Sequence, residues 1–423
     1  MLVILKVIET FSGIGSQAQA LKNLGIDYSV EAIVEWEIGA LFAYDIIHNG
    51  TQNLKPYRHH TKESIIHILS KYNLSNDGKE ALTARSLNSM TMLQLKSILA
   101  SIERTNNKVD ITKVQATDLP DADLLTYSFP CQDLSVSGYW HKNMGGINRD
   151  ANNRSTLLWQ IERLLKEYKQ NDKKLPQFLL MENVSNILSE KHIDNFNEWC
   201  EFLEGLGYVN KVYTLDARNF GIPQARIRTF MISVLIEDKI TTEDVNLYFE
   251  ENNLEQIIRP FQEVSSISDF LRLNYQNDVY RKEAIESTPT LTPSREKILN
   301  LNPALAEDNK PFNEKFARTI TTKQDRHPNS GLILYNENVL TSINNKYRNL
   351  TPRECFLLMG FDEKSFDLLM ENNITLINDR KILSTAKLIK LAGNSIVVPV
   401  LEAIFNQMLD IKNKLSTKET LPS

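Results

Sequence analysis

The first thirty-five residues hold the feature that most restricts the fold. Val3 to Glu9 is an apolar run of the length of one buried strand. Phe11-Ser12-Gly13-Ile14-Gly15-Ser16-Gln17-Ala18 follows, then a helix-like run from Gln19 to Leu24. A second apolar run, Val30 to Val34, ends at the acid Glu35. Two glycines one residue apart permit a tight turn and a close backbone approach to a ligand. Ala18 takes the third small position of a G-x-G-x-x-G/A pattern. An acid about 20 residues further on can accept bonds from ribose hydroxyls. The unit reads as strand–loop–helix–strand, the start of an α/β sheet that binds an adenosine-containing cofactor. NAD, FAD and S-adenosylmethionine all fit at this point, and so does a tight turn without a ligand.

A cysteine supplies the next constraint. The mostly apolar run Asp123 to Tyr127 leads into Ser128-Phe129-Pro130-Cys131-Gln132. Pro130 fixes its own φ and biases Phe129 toward an extended conformation. Cys131 is then expected at a loop mouth just past a strand end, where ligand sites of open α/β sheets lie. A thiolate there suits a nucleophile. A cysteine taken alone is more often a small buried hydrophobe, so the rest of the chain decides.

Four further segments carry polar groups at strand or helix ends. Gln177 to Met181 is a buried strand with Glu182-Asn183-Val184 at its end. A carboxyl leaving such a strand can stay protonated and donate a bond, although a helix-start acid has the same pattern. Arg226 and Arg228 alternate with apolar residues, which puts both on one face of a strand. Two guanidiniums in an apolar context need an anionic or base-edge partner. Asp110-Ile111 precedes the central strand, with Asp110 either facing a cofactor or solvated in a loop. Gly393-Asn394-Ser395 reads as a turn opening an apolar helix from Val397 to Met408, and ordinary capping explains the serine but not the Gly-Asn pair.

Other stretches set the organisation. Ala40 to Leu99 is polar and helical in pattern and reads as a surface insertion without chemistry. Ser135 to Arg149 carries Gly138, Gly145 and Gly146, and reads as a loop able to close on substrate. Ser155 is a candidate cap for the helix that follows. Thr351-Pro352-Arg353-Glu354 has the spacing of a capped helix start. Residues 239–345 are polar and turn-rich. Within them Ala317 to Asn329 is dense in short donors and positive charge, which suits phosphate or base-edge contact.

Composition narrows the classes. The cysteines, Cys131, Cys200 and Cys355, have neither pairing nor metal-ligand spacing, which favours a reducing compartment and no metal. No apolar run approaches the roughly 20 residues of a membrane span. A net charge of −5 argues against a nonspecific nucleic-acid binder. It leaves open a DNA enzyme, in which only the binding face must be positive.

Taken in order, the segments Phe11-Ser-Gly-Ile-Gly15, Glu35-Trp36, Asp110-Ile111, Pro130-Cys131-Gln132, Glu182-Asn183-Val184, Gln224-x-Arg226-x-Arg228, Arg353-Glu354 with Met359-Gly360-Phe361, and Gly393-Asn394-Ser395 resemble the cytosine-C5 DNA methyltransferase family. The overall spacing is similar to bacterial enzymes that include the mollicute CpG methylases. The chain departs from the pattern at Glu9-Thr10, where many members have Asp-Leu, and at Ser16, where many have a third glycine.

The resemblance implies a Rossmann-like, doubly wound α/β methyltransferase domain, 1–238 plus 385–423. A smaller target-recognition domain is inserted at 239–384, with 239–345 its variable region. It implies S-adenosylmethionine as cofactor, no metal, and double-stranded DNA as partner. Phe11, Ser12, Gly13, Ile14, Gly15, Glu35, Trp36, Asp110, Ile111, Pro130, Leu157, Asn394 and Ser395 would form the cofactor site. Cys131 would be the nucleophile, Glu182 the acid on the base edge, and Arg226 and Arg228 the groups that stabilise developing charge. DNA contacts would come from Gln132, Ser135 and Ser137 beside the cysteine and from Arg318, Thr319, Thr321, Lys323 and Arg326. The implied protein is a cytoplasmic prokaryotic enzyme, a monomer on DNA, and the protective partner of a restriction endonuclease. A tRNA-methylating relative shares the motifs, as does a DNA-binding relative without turnover. A nucleotide-cofactor oxidoreductase fits the glycine loop alone.

Overall fold

The computed structural model describes residues 4–130, 134, 146–149, 154–237, 241–258, 265–335, 346–376 and 380–417. β1 (Leu5–Thr10), β2 (Tyr28–Val34), β3 (Leu124–Tyr127) and β4 (Phe178–Val184) run parallel. After β5 (Tyr208–Asp216) comes a short strand, β6 (Gln224–Ala225), and then β7 (Ile227–Leu235). β7 lies antiparallel between β4 and β5, so the sheet order is β2-β1-β3-β4-β7-β5.

The strands alternate between two cores because successive side chains face opposite sides. Val7, Leu124, Leu180 and Ile232 pack with α1 (Ser16–Asn23), α2 (Ile38–Asn49) and the helix Val398–Thr417. Ile8, Leu125, Leu179 and Met231 pack on the other face with the helices Leu158–Gln170 and Ile193–Glu204. Trp199 is fully buried there and donates its Nε1–H to the Tyr127 hydroxyl, 3.1 Å away. A sheet covered on both faces explains why β3 and β4 read as unbroken apolar runs.

Two consequences of this order position the site. The chain leaves β1 for β2 on one side and reaches β3 on the other, so the carboxyl ends of β1 and β3 border the crevice where the order reverses. β7 runs the other way and begins where β4 ends, with Arg228 opposite Val184.

Residues 304–349 form a second, four-stranded sheet from Ala304–Glu307, Lys310–Pro311, Leu332–Leu334 and Tyr347–Asn349. The pair Ala317–Arg318 instead joins β6 in parallel. The expected cap at Thr351 is present. Its hydroxyl accepts from Glu354 N, and Glu354 returns a carboxylate oxygen to Thr351 N. The same carboxylate forks onto Arg348 at 2.8 Å through both Nη atoms, with both residues buried. One apolar core then runs from the sheet through Leu305 and Phe356 to Phe405.

Two local expectations need correction. The α-helical cap before Leu158 is Leu157, after a 3₁₀ turn Arg154–Leu157, and makes no side-chain cap bond. Ser155 donates instead to the Pro130 carbonyl at 2.8 Å. Gly393-Asn394 does not open the last helix but ends the helix Thr385–Asn394, which Ser384 caps. The apolar periodicity of Leu388, Leu391 and Ala392 extends the helix back from the turn. The stretch Thr385–Lys414 has the hydropathy of a membrane span, yet 67% of its most apolar window is buried in this core.

Candidate active site

The glycine loop takes its shape from left-handed residues. Phe11, Gly13 and Gly15 have φ of 55°, 57° and 78°. At Gly15 a Cβ would lie 2.2 Å from Nε2 of His48. Burial lowers the His48 pKa to about 4, so the ring is neutral and donates Nε2–H to the Ile14 carbonyl at 3.0 Å. The loop is also tied to the far end of the chain. Ser16 Oγ lies 2.6 Å from Ser395 Oγ and accepts from Ile396 N at 3.2 Å.

Glu35, just past β2, receives the loop. Its Oε2 accepts from Gly13 N at 3.0 Å and its Oε1 from Glu37 N at 2.8 Å. Asn107 fixes its backbone, accepting from Glu35 N and donating to Glu35 O. Burial pushes the Glu35 carboxyl up to about 7, against the pull of the Glu37 and Gly13 amides, and the Glu37 charge pushes the same way. Asp110 follows Val109, another left-handed residue, and accepts from Asn73 Nδ2 at 2.6 Å and from the Thr112 amide and hydroxyl.

These residues line a cavity of about 340 Å³. Phe11, Gly13, Glu35, Trp36, Asp110, Ile111, Pro130, Leu157 and Asn394 face it from the expected cofactor set. Ser12, Ile14, Gly15 and Ser395 are not in its lining; Ser12, Ile14 and Ser395 are buried behind it. Glu182, Arg226 and Arg228 line the same cavity.

At its β4 end, Glu182 accepts from Ser128 Oγ at 2.5 Å and meets Arg228 Nε at 3.5 Å. Asn183 Nδ2 donates to the Phe129 carbonyl at 3.1 Å. Together with the Ser155 bond to Pro130, this braces the chain just before Cys131. Cys131 itself lies outside the described residues, as do Gln132, Ser135 and Ser137. Most of the expected closing loop does too. Its last residue, Arg149, pairs with Glu162 and Glu198 and stacks 3.7 Å over the Trp159 ring.

Arg226 and Arg228 reach the same cavity, but they do not alternate along one strand. Arg226 precedes β7 in a turn where its N–H donates to the Gln224 carbonyl. Its Nη1 donates to Ile320 O at 2.9 Å, and its Nη2 to Gly393 O at 3.2 Å and Ser395 O at 2.7 Å. Gln224 adds bonds to Ile320 N and Leu358 O. The segment that starts at Arg318 is thereby docked on β6 and the turn that follows it. Thr319 Oγ1 donates to Ala225 O and Thr321 Oγ1 to Lys323 O. Arg318 and Arg326 are exposed, with Arg326 beside Asp325.

A model of C-5 cytosine-specific DNA methylases matches residues 88–410. The chain belongs to this family. Over 408 residues it is 32% identical to the orphan methyltransferase M.SssI of Spiroplasma monobiae, covering 96% of this chain and 97% of that protein. It is equally similar, 32% over 412 residues, to the type II methyltransferase M2.ScrFI of Lactococcus lactis subsp. cremoris, covering 96% and 99%. The fold is shared with the S. pombe Dnmt2 methyltransferase at a TM-score of 0.60 and 19% identity, over 97% of this chain and 99% of that one.

The protein is thus a DNA cytosine-5-methyltransferase, and its family uses S-adenosylmethionine. The cavity fits such a cofactor. It offers aromatic walls at Phe11 and Trp36 and, at Glu35 and Asp110, carboxylates for hydroxyl or amine donors. Sequence reasoning missed several of this methylase's lining residues. Ser128 sits inside the cysteine motif and was open to suspicion as the polar residue after β3. Glu37, Asp77, Gly78, Arg154 and Lys390 carried no local signal, because only the fold brings them to the cavity.

Proposed function

We propose that the cavity binds S-adenosylmethionine and that Cys131 activates a cytosine turned out of duplex DNA for methylation at C5. The observation that carries this is one cavity with two walls. Glu35, Trp36 and Asp110 form one, and Glu182, Arg228 and Pro130, the residue before Cys131, form the other. Glu35 would accept the ribose hydroxyls and Asp110 the adenine amine. Phe11, Trp36, Ile111, Pro130 and Leu157 would hold the flat faces, and Asn394 the remaining polar end. When bound, the cofactor supplies a methyl carbon on a sulfonium sulfur.

C5 of cytosine is a poor nucleophile. In the proposed mechanism the Cys131 thiolate bonds to C6, and the displaced electron pair makes C5 an enamine carbon. Glu182 holds the N3 and N4 edge and favours protonation at N3 as the thiolate adds. Ser128 and Arg228 orient Glu182, and the Arg228 guanidinium stabilises charge developing on the ring. C5 would then take the methyl group as its bond to the sulfonium breaks, the sulfur leaving as a neutral thioether. Loss of the C5 proton to a base, elimination of Cys131 Sγ from C6 and return of the N3 proton to Glu182 restore the aromatic ring. A stacked base presents neither face for this, so the target is flipped out of the helix.

The proposed division is a catalytic domain, 1–238 plus 385–423, and a recognition domain, 239–384. Duplex DNA lies in the cleft between them, with the segment from Arg318 to Arg326 toward it and Gln132, Ser135 and Ser137 beside the flipped base. The enzyme acts as a monomer in a prokaryotic cytoplasm. It protects host DNA from a restriction endonuclease of the same specificity, a reading supported by the type II naming of M2.ScrFI.

Bisulfite sequencing of plasmid from a methylation-deficient bacterium expressing the chain tests this. The expected result is protected cytosines at one short sequence, absent with Cys131→Ala. Protection that survives Cys131→Ala would remove the covalent mechanism.

A further inference from the structure

The segment between α2 and the helix Met92–Arg104 is not only surface. Its chain returns to the cavity between the helices Lys62–Leu69 and Ala84–Asn88. Ser75, fully buried, donates its N–H to the Trp36 carbonyl at 2.7 Å and accepts from Ile38 N at 2.9 Å. Its Oγ accepts from Gly78 N and donates to Glu80 O. These bonds fold residues 75–80 into a tight turn whose tip, Asp77-Gly78, lines the cavity. Gly78 has φ of 72°, and a Cβ there would lie 3.0 Å from Glu37 Oε2.

One lysine gathers this turn to the rest of the site. Lys390 Nζ donates to Glu37 Oε2 and to the Asp77 carbonyl, each at 2.6 Å. Glu37 is buried, so the ammonium is also its counter-charge. Two weaker ties flank it: Lys387 Nζ to Asn76 Oδ1 at 2.9 Å, and Arg154 Nη1 to Gly78 O at 3.2 Å. Lys390 thus joins three separate pieces of chain. These are the residues after β2 that carry Glu35 and Trp36, the inserted turn, and the helix that ends at Gly393-Asn394.

We propose that Asp77-Gly78 is a strap that retains the bound cofactor, and that Lys390 is the positioning residue that holds the strap across the cavity. The inference rests on the reading of the cavity as the S-adenosylmethionine site. A strap formed by backbone, pinned from both sides, adds contacts to the bound cofactor that must break before it leaves. Its loss therefore accelerates release and changes entry little.

The test uses the full chain and S-adenosylhomocysteine as probe, with affinity by calorimetry and release by stopped-flow displacement. Lys390→Met with Glu37→Gln removes both charges together and leaves no buried charge unpaired. Gly78→Ala strains the strap backbone and sets a methyl against Glu37 Oε2, but leaves both charges in place. Lys390→Arg keeps a donor and the charge. The expected result is release at least tenfold faster in the double variant and several-fold faster in Gly78→Ala. Association stays within twofold, melting of the empty protein is little changed, and Lys390→Arg is close to the parent. Release within twofold of the parent in both the double variant and Gly78→Ala overturns the strap. A parent that does not bind the probe, or binds it equally well with Glu35→Ala, overturns the reading of the cavity instead.

Discussion

Ser128 Oγ stands 2.5 Å from Oε2 of Glu182, while Arg228 approaches the other oxygen. A carboxylate gripped from both sides has one orientation to offer a base edge. Glu182→Gln is expected to lower turnover by about 10²–10⁴-fold, the usual worth of a positioned acid. Affinity for S-adenosylhomocysteine should stay within about twofold, since Glu35 and Asp110 are untouched. Ser128→Ala keeps the acid but loosens it, and about a tenfold loss is expected for a bond to a charged group. Single-turnover methyl transfer on a duplex oligonucleotide, beside calorimetric titration, separates the two effects. Equal losses in affinity and turnover would place Glu182 in the cofactor site.

Gly15 and His48 form a second pair, one of exclusion. An alanine at φ 78° pays about 1–2 kcal/mol for the left-handed backbone, and its Cβ would sit 2.2 Å from the His48 ring. Gly15→Ala should lower the melting temperature and weaken cofactor binding. His48→Ala should weaken the parent protein, by loss of the Ile14 bond, yet restore part of the loss in Gly15→Ala. That reversal of sign in a double-mutant cycle identifies the clash. Additive losses would mean that the loop relaxes around the methyl.

The parts of this site that were legible in sequence are those where chemistry and backbone coincide. Gly13, Gly15 and Glu35 announce themselves because a positive φ and a strand-end acid are local demands. Glu182 and Arg228 were readable for a similar reason: one ends an apolar run and the other begins one, which puts both at the same edge of the sheet. Arg226 was placed on a strand it does not belong to, because alternation presumes an unbroken strand and the chain turns between β6 and β7, although Arg226 reaches the same cavity as Arg228. Lys390 and Gly78 were invisible, 312 residues apart by number, and only the packing of the helix Thr385–Asn394 against the inserted turn brings them together. No periodicity reports such a meeting.

Two buried acids set opposite pH trends for stability and for cofactor binding. Burial raises the Glu9 carboxyl from 4.5 to about 8, although the Ala18 amide and Tyr44 hydroxyl pull the other way, and Glu9 completes no hydrogen bond of normal geometry. Glu35 is raised to about 7. An acid whose folded pKa is raised contributes stability below its unfolded value, and loses it as pH climbs through the folded one. The empty protein should therefore lose up to about 1.4 kcal/mol per pH unit per acid between pH 5 and 7. Glu9→Gln should remove one acid's share of that slope. Cofactor binding should run the other way, strengthening from pH 6 to 8 as Glu35 ionises and can accept ribose hydroxyls from both oxygens. Urea unfolding and probe titration over this range check both. A flat binding profile would mean that Glu35 binds as the neutral acid.

The two arginines should fail differently. Arg228 reaches Glu182 from the rim of the cavity, and its removal leaves one carboxylate less well held. Arg228→Ala is expected to keep the fold, within about 1 kcal/mol, and to lower turnover at least tenfold through the loss of a charge-assisted contact. Arg226 spends its guanidinium on the carbonyls of Ile320, Gly393 and Ser395, which belong to the segment after Arg318 and to the turn beside the cavity. Arg226→Ala strands buried acceptors at about 1–3 kcal/mol each, so unfolding free energy should fall by about 3 kcal/mol or more. Affinity for the cofactor should fall with it, because Asn394 rides on that turn. Arg226→Lys should rescue little, since one ammonium cannot reproduce a planar fork aimed at three oxygens. Unfolding curves and probe titrations on both alanine variants decide the matter. A stable Arg226→Ala protein that binds the probe normally and has lost only turnover would move this guanidinium from holding the site together to acting on the base.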